Sequence, residues 1–244
     1  MLDGRLKDLA VAAGCRIREG EVSAESAAGV GTVWCAGRRK AASHFIGLKT
    51  HYDGLPLDAD LEMHLGRGGY VGLSRVENGR VNVCGLFRSG AATGREGRPL
   101  DRALRATGLS LLADRLREAR EVDGAACAVS GFACGWQMAP AAPVIAAGDA
   151  VAMIPPFTGN GMSMAFESAE SVLPLVMDYV GGRMPWDQAR RVSGKEQLDR
   201  FRNRMLWAGA LHPWLLHPLG RKSLGLAARA RLLPINWLFL RLRS

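Results

Sequence analysis

Hydrophobic positions change period several times along the chain. Leu2, Leu6, Leu9 and Ala13 fall at helical spacing and Gly14 closes the run, which predicts a helix over residues 3–13. A short strand over 15–19 is expected next, and Thr32-Val33-Trp34-Cys35-Ala36 reads as a strand that stops at Gly37. The period then shortens. Residues 45–52, 60–65, 70–76 and 80–87 are β-rich runs separated by Gly and Asp. The last two flank Glu77-Asn78-Gly79; Asn-Gly tolerates positive φ and supplies the type I′ turn that matches strand twist, so a hairpin is expected. Residues 100–120 return to helical character, with Leu111, Leu112, Leu116 and Ala119 on one side. Residues 125–133 and 143–147 read as strands, a long helix starts near Gly161, and the remainder is helical. Pro213, Pro218 and Pro234 are expected to divide that last part into short helices.

This order places an antiparallel sheet inside an α/β unit, an α+β arrangement of interleaved domains. The boundaries are residues 1–38 with 143–185 for a partial nucleotide-binding unit, 39–142 for the sheet, and 186–244 for a C-terminal basic helical segment. Of the 244 residues, 48% are hydrophobic and 23% charged, which excludes wholesale disorder. No run reaches the roughly 18 apolar residues a spanning helix needs, and the first residues lack the apolar core of a signal peptide. The five cysteines (Cys15, Cys35, Cys84, Cys127, Cys134) contain no Cys-x-x-Cys pair. That argues against a disulfide framework and for a reducing cytoplasm, with the thiols packed as small apolar groups.

Charge alters this picture only at one end. The net charge is +9, and the nine Lys and Arg from Arg200 onward, with no Asp or Glu among them, account for all of it. A neutral body with a basic tail argues against nucleic acid as a partner. The tail interleaves its cations with Met205-Leu206-Trp207, Trp214-Leu215-Leu216 and Trp237-Leu238-Phe239-Leu240. Two readings follow: helices docked on the body, or peripheral contact with a membrane surface or lipid-like substrate.

The segment with the clearest chemistry is 143–167. A buried apolar strand delivers Gly148 and Asp149 at its carboxyl end, where open α/β sheets bind ligands. Gly148 allows close backbone approach, and Asp149 offers two strong acceptors for hydroxyl groups. Gly159-Asn160-Gly161 then opens a helix whose exposed N–H groups favour negative charge. A polyol held by the carboxylate, beside a ring that becomes anionic, suits both features.

These residues resemble a family. Val144-Ile145-Ala146-Ala147-Gly148-Asp149, followed by Pro155-Pro156-x-x-Gly159-x-Gly161, is similar to the second flavin motif of FAD-dependent oxidoreductases. That group includes para-hydroxybenzoate hydroxylase, geranylgeranyl reductases and flavin halogenases. The resemblance implies that Asp149, with Gly148, binds a ribityl hydroxyl of FAD. It also implies that the Pro156, Gly159, Asn160 and Gly161 segment faces the pyrimidine edge of the flavin. Val33-Trp34-Cys35-Ala36-Gly37-Arg38 is similar to the family's strand ending in Ala-Thr-Gly-Arg, with Ala36 departing from Thr, and adds Gly37 and Arg38 to the cofactor contacts. Leu2-Asp3-x-x-Leu6 resembles the stretch that follows the N-terminal nucleotide-binding unit, and residues 69–85 look like the substrate-domain sheet. The matches run in order across residues 1–185.

No Gly-x-Gly-x-x-Gly follows a strand, so the resemblance implies a form lacking the N-terminal dinucleotide-binding unit. The implied function is an FAD-dependent monooxygenase or reductase, with NAD(P)H as reductant and a lipophilic or aromatic substrate. The alternative is a non-catalytic remnant or a lipid- or membrane-surface-binding module without FAD. The halogenase signature Trp-x-Trp-x-x-Pro is not visible, Trp136 being followed by Gln137-Met138-Ala139-Pro140. No nucleophile, base and orienter set can be read, which suits chemistry performed by a cofactor. Gly66-Arg67-Gly68-Gly69 lies between strands and reads as a turn. His212 and His217 are spaced for different helical faces, which argues against a metal, and His44, His51 and His64 show no carboxylate partner. Ser163, Ala165, Ser168 and Ala169 are expected only to let helices pack closely.

Overall fold

The computed structural model describes residues 2–20, 29–38, 43–92, 97–138, 141–230, 232, 237 and 240–241. The continuation of the basic run at Arg39 and Lys40, the Ala139-Pro140 pair, Pro234, and Leu238-Phe239 lie outside them. The chain opens with α1 (Leu2–Ala12), then β1 (Val33–Trp34). Five further strands follow the alternation expected of a half-buried sheet: β2 (Phe45–Asp53), β3 (Leu61–Gly66), β4 (Gly69–Arg75), β5 (Val81–Arg88) and, after two helices, β6 (Arg120–Glu121). Their order in space is β3-β4-β5-β2-β6, and β7 (Cys127–Ser130) also pairs with β2, all antiparallel. Asn78 and Gly79 between β4 and β5 have φ of 63° and 70°, the two positive values that a type I′ turn requires.

Alternation sends the two faces of this sheet to different partners. Leu48, Tyr52, Val71, Leu73, Val81, Val83 and Phe87 form the main core with α2 (Pro99–Ala106) and α3 (Ser110–Glu118). Tyr70 and Leu86 point the other way, toward Phe45, Phe132, Phe157 and Leu216. Glu62 of β3 fastens the sheet to α3 by accepting hydrogen bonds from Arg115 Nη1 at 2.7 Å and Nη2 at 3.0 Å. The Arg115 guanidinium and the Asp58 N–H hold the Glu62 carboxyl down at about 2.

Outside the sheet, β1 pairs in parallel with β9 (Ile145–Ala146), and β8 (Gly135–Trp136) pairs antiparallel with β10 (Ala152–Met153). Then come α4 (Gly161–Val180), α5 (Trp186–Leu216) and α6 (Pro218–Arg229). Helices α4 and α5 pack on one another and over β9, with Ile145, Val172, Leu175, Trp186 and Ala189 in one apolar cluster.

Several sequence expectations are corrected. Residues 15–19 form no strand, and the strand pieces at 32–36, 125–133 and 143–147 shorten to β1, β7 and β9. The helix expected over 100–120 is two, because the chain turns after Ala106 and α3 restarts in a new phase; Leu111 consequently faces solvent, 88% exposed, and Leu112, Ala113 and Leu116 are buried. Pro213 does not break α5, since it sits in the last turn and its missing N–H forfeits a single ladder bond; the helix runs 31 residues and ends before Pro218. Cys15, Cys35, Cys84 and Cys127 are exposed rather than packed inside, Cys84 because it lies at an outward position of β5 beside buried Val83. His64 does have a carboxylate partner: Glu62, two residues away on the same strand face, at 3.1 Å.

Candidate functional site

Parallel pairing aligns the carboxyl ends of β1 and β9, and the residues that follow each strand come together there. The register is Val33 with Ile145 and Trp34 with Ala146, so Gly37-Arg38 and Gly148-Asp149 emerge on the same side. Gly148 has φ of 63°, and a Cβ there would stand 3.5 Å from the Cβ of Ala165 on α4. Its N–H donates to Ser168 Oγ at 2.8 Å, which draws the turn against α4. Asp149 is half-buried, and no hydrogen bond joins its carboxylate to another described residue. Burial raises its pKa, and the Arg38 guanidinium opposes that rise.

Arg38 is fixed in place. Its Nη2 donates to the Ser130 carbonyl at 2.7 Å, and its guanidinium lies 4.7 Å above the centre of the Phe132 ring. Cys134 belongs to the same neighbourhood; burial first and the Asp149 charge second push its thiol up to about 11, so it is neutral at physiological pH.

The Pro156–Gly161 segment forms the adjoining wall. Pro156–Thr158 make one tight turn, Gly159 follows with φ of 66°, and α4 starts at Gly161 with Asn160, 4% exposed, at its cap position. The Phe157 N–H donates to Tyr70 Oη at 3.2 Å, which ties this segment to the sheet. Gly37 and Arg38 thus follow β1, Gly148 and Asp149 follow β9, and Pro156, Gly159, Asn160 and Gly161 lead into α4, which packs against the Gly148 turn. Ser163 and Ala169 are exposed, unlike the sequence expectation of a close helix contact, while Ser168 is buried.

Other contacts carry no sequence signature. Ser168, Ser193 and Gln197 are fully buried and form a network under β9. Ser168 donates to Gln197 Oε1, while Gln197 Nε2 donates to the Ala146 carbonyl at 3.0 Å and to Ser193 Oγ at 2.9 Å. Together with the bond from Gly148 N–H, these cap the side of β9 turned away from β1. A groove of about 430 Å³ runs along that side, between Trp136, Val144, Val151 and the α5 residues Arg190, Gly194 and Leu198. His212 is a further residue that spacing alone misses. It is 9% exposed, its ring is stacked on Phe157 at 6.0 Å and packed against Tyr70 and Phe45, and burial lowers its pKa. Among the described residues no cluster of His, Cys, Asp and Glu could hold a metal ion.

No family model and no curated protein matches this chain. Solved structures do. The probable FAD-dependent monooxygenase PqsL of Pseudomonas aeruginosa aligns with a TM-score of 0.56 at 15% identity, over 78% of this chain and 57% of that one. HpxO of Klebsiella pneumoniae, solved with FAD and uric acid, gives 0.56 at 15% identity, over 82% and 51%. A geranylgeranyl bacteriochlorophyll reductase-like protein of Thermoplasma acidophilum gives 0.52 at 19% identity, over 70% and 43%. The fold is therefore that of FAD-dependent monooxygenases and related flavoproteins, and the chain spans about half the length of these structures.

Proposed function

We propose that the chain is the part of an FAD-dependent oxidoreductase, a monooxygenase or reductase, that grips the ribityl and ring portions of the cofactor. The observation that carries this reading is the Asp149 carboxylate. It stands half-buried at the paired strand ends, without a hydrogen bond to the described residues, beside the helix that begins at Gly161. A half-buried carboxylate with its lone pairs unclaimed by protein groups is suited to a ligand's hydroxyl groups. Gly148 takes a positive φ at the strand end and packs on Ala165 of α4, and the first N–H groups of α4 suit an electron-rich ring edge. Arg38 would hold charge balance next to Asp149.

When bound, FAD supplies the hydride or oxygen transfer, with NAD(P)H as the reductant in this proposal. The protein's share is to bind and orient. The substrate in this proposal is a lipophilic or aromatic small molecule.

Flavin titration tests the reading through binding and stability together. Burial raises the Asp149 pKa in the folded state, so its ionisation opposes folding, and stability falls as pH rises from the ordinary carboxylate range through the raised value. Asp149→Asn should therefore melt higher than the parent at pH 7 without flavin, yet lose at least tenfold in FAD affinity. Asp149→Ala should lose flavin from the purified protein. Unchanged flavin content in Asp149→Ala removes the assignment, and a parent chain that FAD neither colours nor stabilises supports the remnant alternative.

A further inference from the structure

Helix α5 buries one apolar stripe and exposes another. Phe201, Met205, Ala208, His212 and Leu216 recur at three- and four-residue intervals and face the body. The segment Met205–Leu216, Met-Leu-Trp-Ala-Gly-Ala-Leu-His-Pro-Trp-Leu-Leu, holds no charged residue, so the opposite side is apolar too. Leu206 is 64% exposed there and Trp214 49%. Helix α6 continues the pattern, with Leu219 65% and Leu226 67% exposed. A helix apolar on all sides is ordinarily covered on all sides.

The charges beside these stripes indicate the cover. Arg204 is taken up by Glu167 in a two-pronged pair at 2.7 and 2.9 Å, and Arg221 Nη1 reaches the Leu65 carbonyl. Arg202, Lys222 and Arg229 are exposed and form no ion pair with a described residue. From Arg200 onward the sequence has no acidic residue. Apolar side chains flanked by uncompensated cations match an interface of hydrocarbon beneath anionic headgroups, with long basic side chains reaching outward. No helix among the described residues is long and apolar enough to cross a membrane, so the contact is with its surface.

We infer that the exposed faces of α5 and α6, centred on Leu206, Trp214, Leu219 and Leu226, dock on an anionic lipid bilayer. The reading is independent of flavin binding. A second copy of this chain, the competing occupant, would meet the same cations with like charge.

Sedimentation with vesicles tests it, using the full chain. Vesicles of 70% phosphatidylcholine and 30% phosphatidylglycerol should carry the protein down, and pure phosphatidylcholine should carry down at least tenfold less. Leu206→Glu with Leu219→Glu should abolish sedimentation while leaving the circular dichroism spectrum unchanged, because both positions face outward. Lys222→Gln and Arg229→Gln should each weaken binding about fivefold, the share of one cation near a charged surface. Equal binding to neutral vesicles, no binding to either, or sedimentation unaltered in the double glutamate variant overturns the proposal. So does a dimer by light scattering that the same variant converts to monomer, which would assign the face to a second copy.

Discussion

The antiparallel sheet and the parallel pair satisfy their backbones by different means. β2 and β5 exchange partners over eight residue pairs, from Phe45 with Arg88 to Tyr52 with Val81, and β4 adds a further long ladder. β1 and β9 share two. The sheet is covered by α2 and α3, which follow it directly in the chain, and its core is almost wholly apolar. The parallel pair instead depends on Ser168 of α4 and Gln197 of α5, whose side chains meet Gly148 and Ala146 where a neighbouring strand would otherwise bond. Parallel strands are ordinarily found in wider sheets covered on both faces. The candidate site thus rests on the half of the molecule where two short strands are held by side-chain bonds and by the apolar cluster around Ile145.

The largest expected effect lies in the sheet. Phe87 is fully buried between β5 and the two helices, so Phe87→Ala leaves a cavity and should cost about 3–5 kcal/mol. Urea denaturation measures the loss, and hydrogen exchange locates it. Faster exchange at β2, β4 and β5 with little change at β9 upholds the division; an equal rise at β9 would mean one cooperative core.

Acid should separate the halves further. Glu62 of β3 is held by Arg115 with its carboxyl at about 2, below the ordinary value, so the folded state favours its ionised form. Its contribution is complete above the usual carboxylate range and disappears as pH falls toward 2. Glu62→Gln should lower stability at pH 7 by about 2 kcal/mol, the scale of hydrogen bonds to a charged group, and match the parent near pH 2. A variant equally weakened at both pH values would refute a titrating fastening. The Ser168–Gln197 network contains no titrating group and should be indifferent to the same change.

This contrast also accounts for what was legible in the sequence. Alternation over long strands and the Asn78-Gly79 turn wrote the sheet plainly, because each buried position repeats the same signal every second residue. The candidate site was signalled at Gly148, Asp149 and Gly159–Gly161, where glycine and a lone carboxylate interrupt apolar runs. The phase of α3 was not, since the turn after Ala106 resets which leucines face inward. Two-residue strands have no period to read. Gln197 looks like any polar residue of a charged helix until α5 is laid against β9, and His212 gains its aromatic surroundings only when α5 meets the sheet.

Gln197 gives the smallest effect and the most direct test of how the parallel pair is held. Its Nε2 serves both the Ala146 carbonyl and Ser193, and its Oε1 accepts from Ser168, which in turn receives Gly148 N–H. Gln197→Ala strands buried polar groups along the side of β9 turned away from β1 and should cost about 1–2 kcal/mol in urea denaturation. Gln197→Glu keeps the acceptor but loses the donor to Ala146 and buries a charge, so it should be the worse of the two. Because Ser168 loses its own acceptor in Gln197→Ala, the Gly148 turn loosens in that variant, and exchange of the Gly148 amide should quicken more than that of any β4 or β5 amide. If Gly148 stays as protected as before, the strand is held by its apolar packing against Val172 and Ala189, and the side-chain cap is incidental.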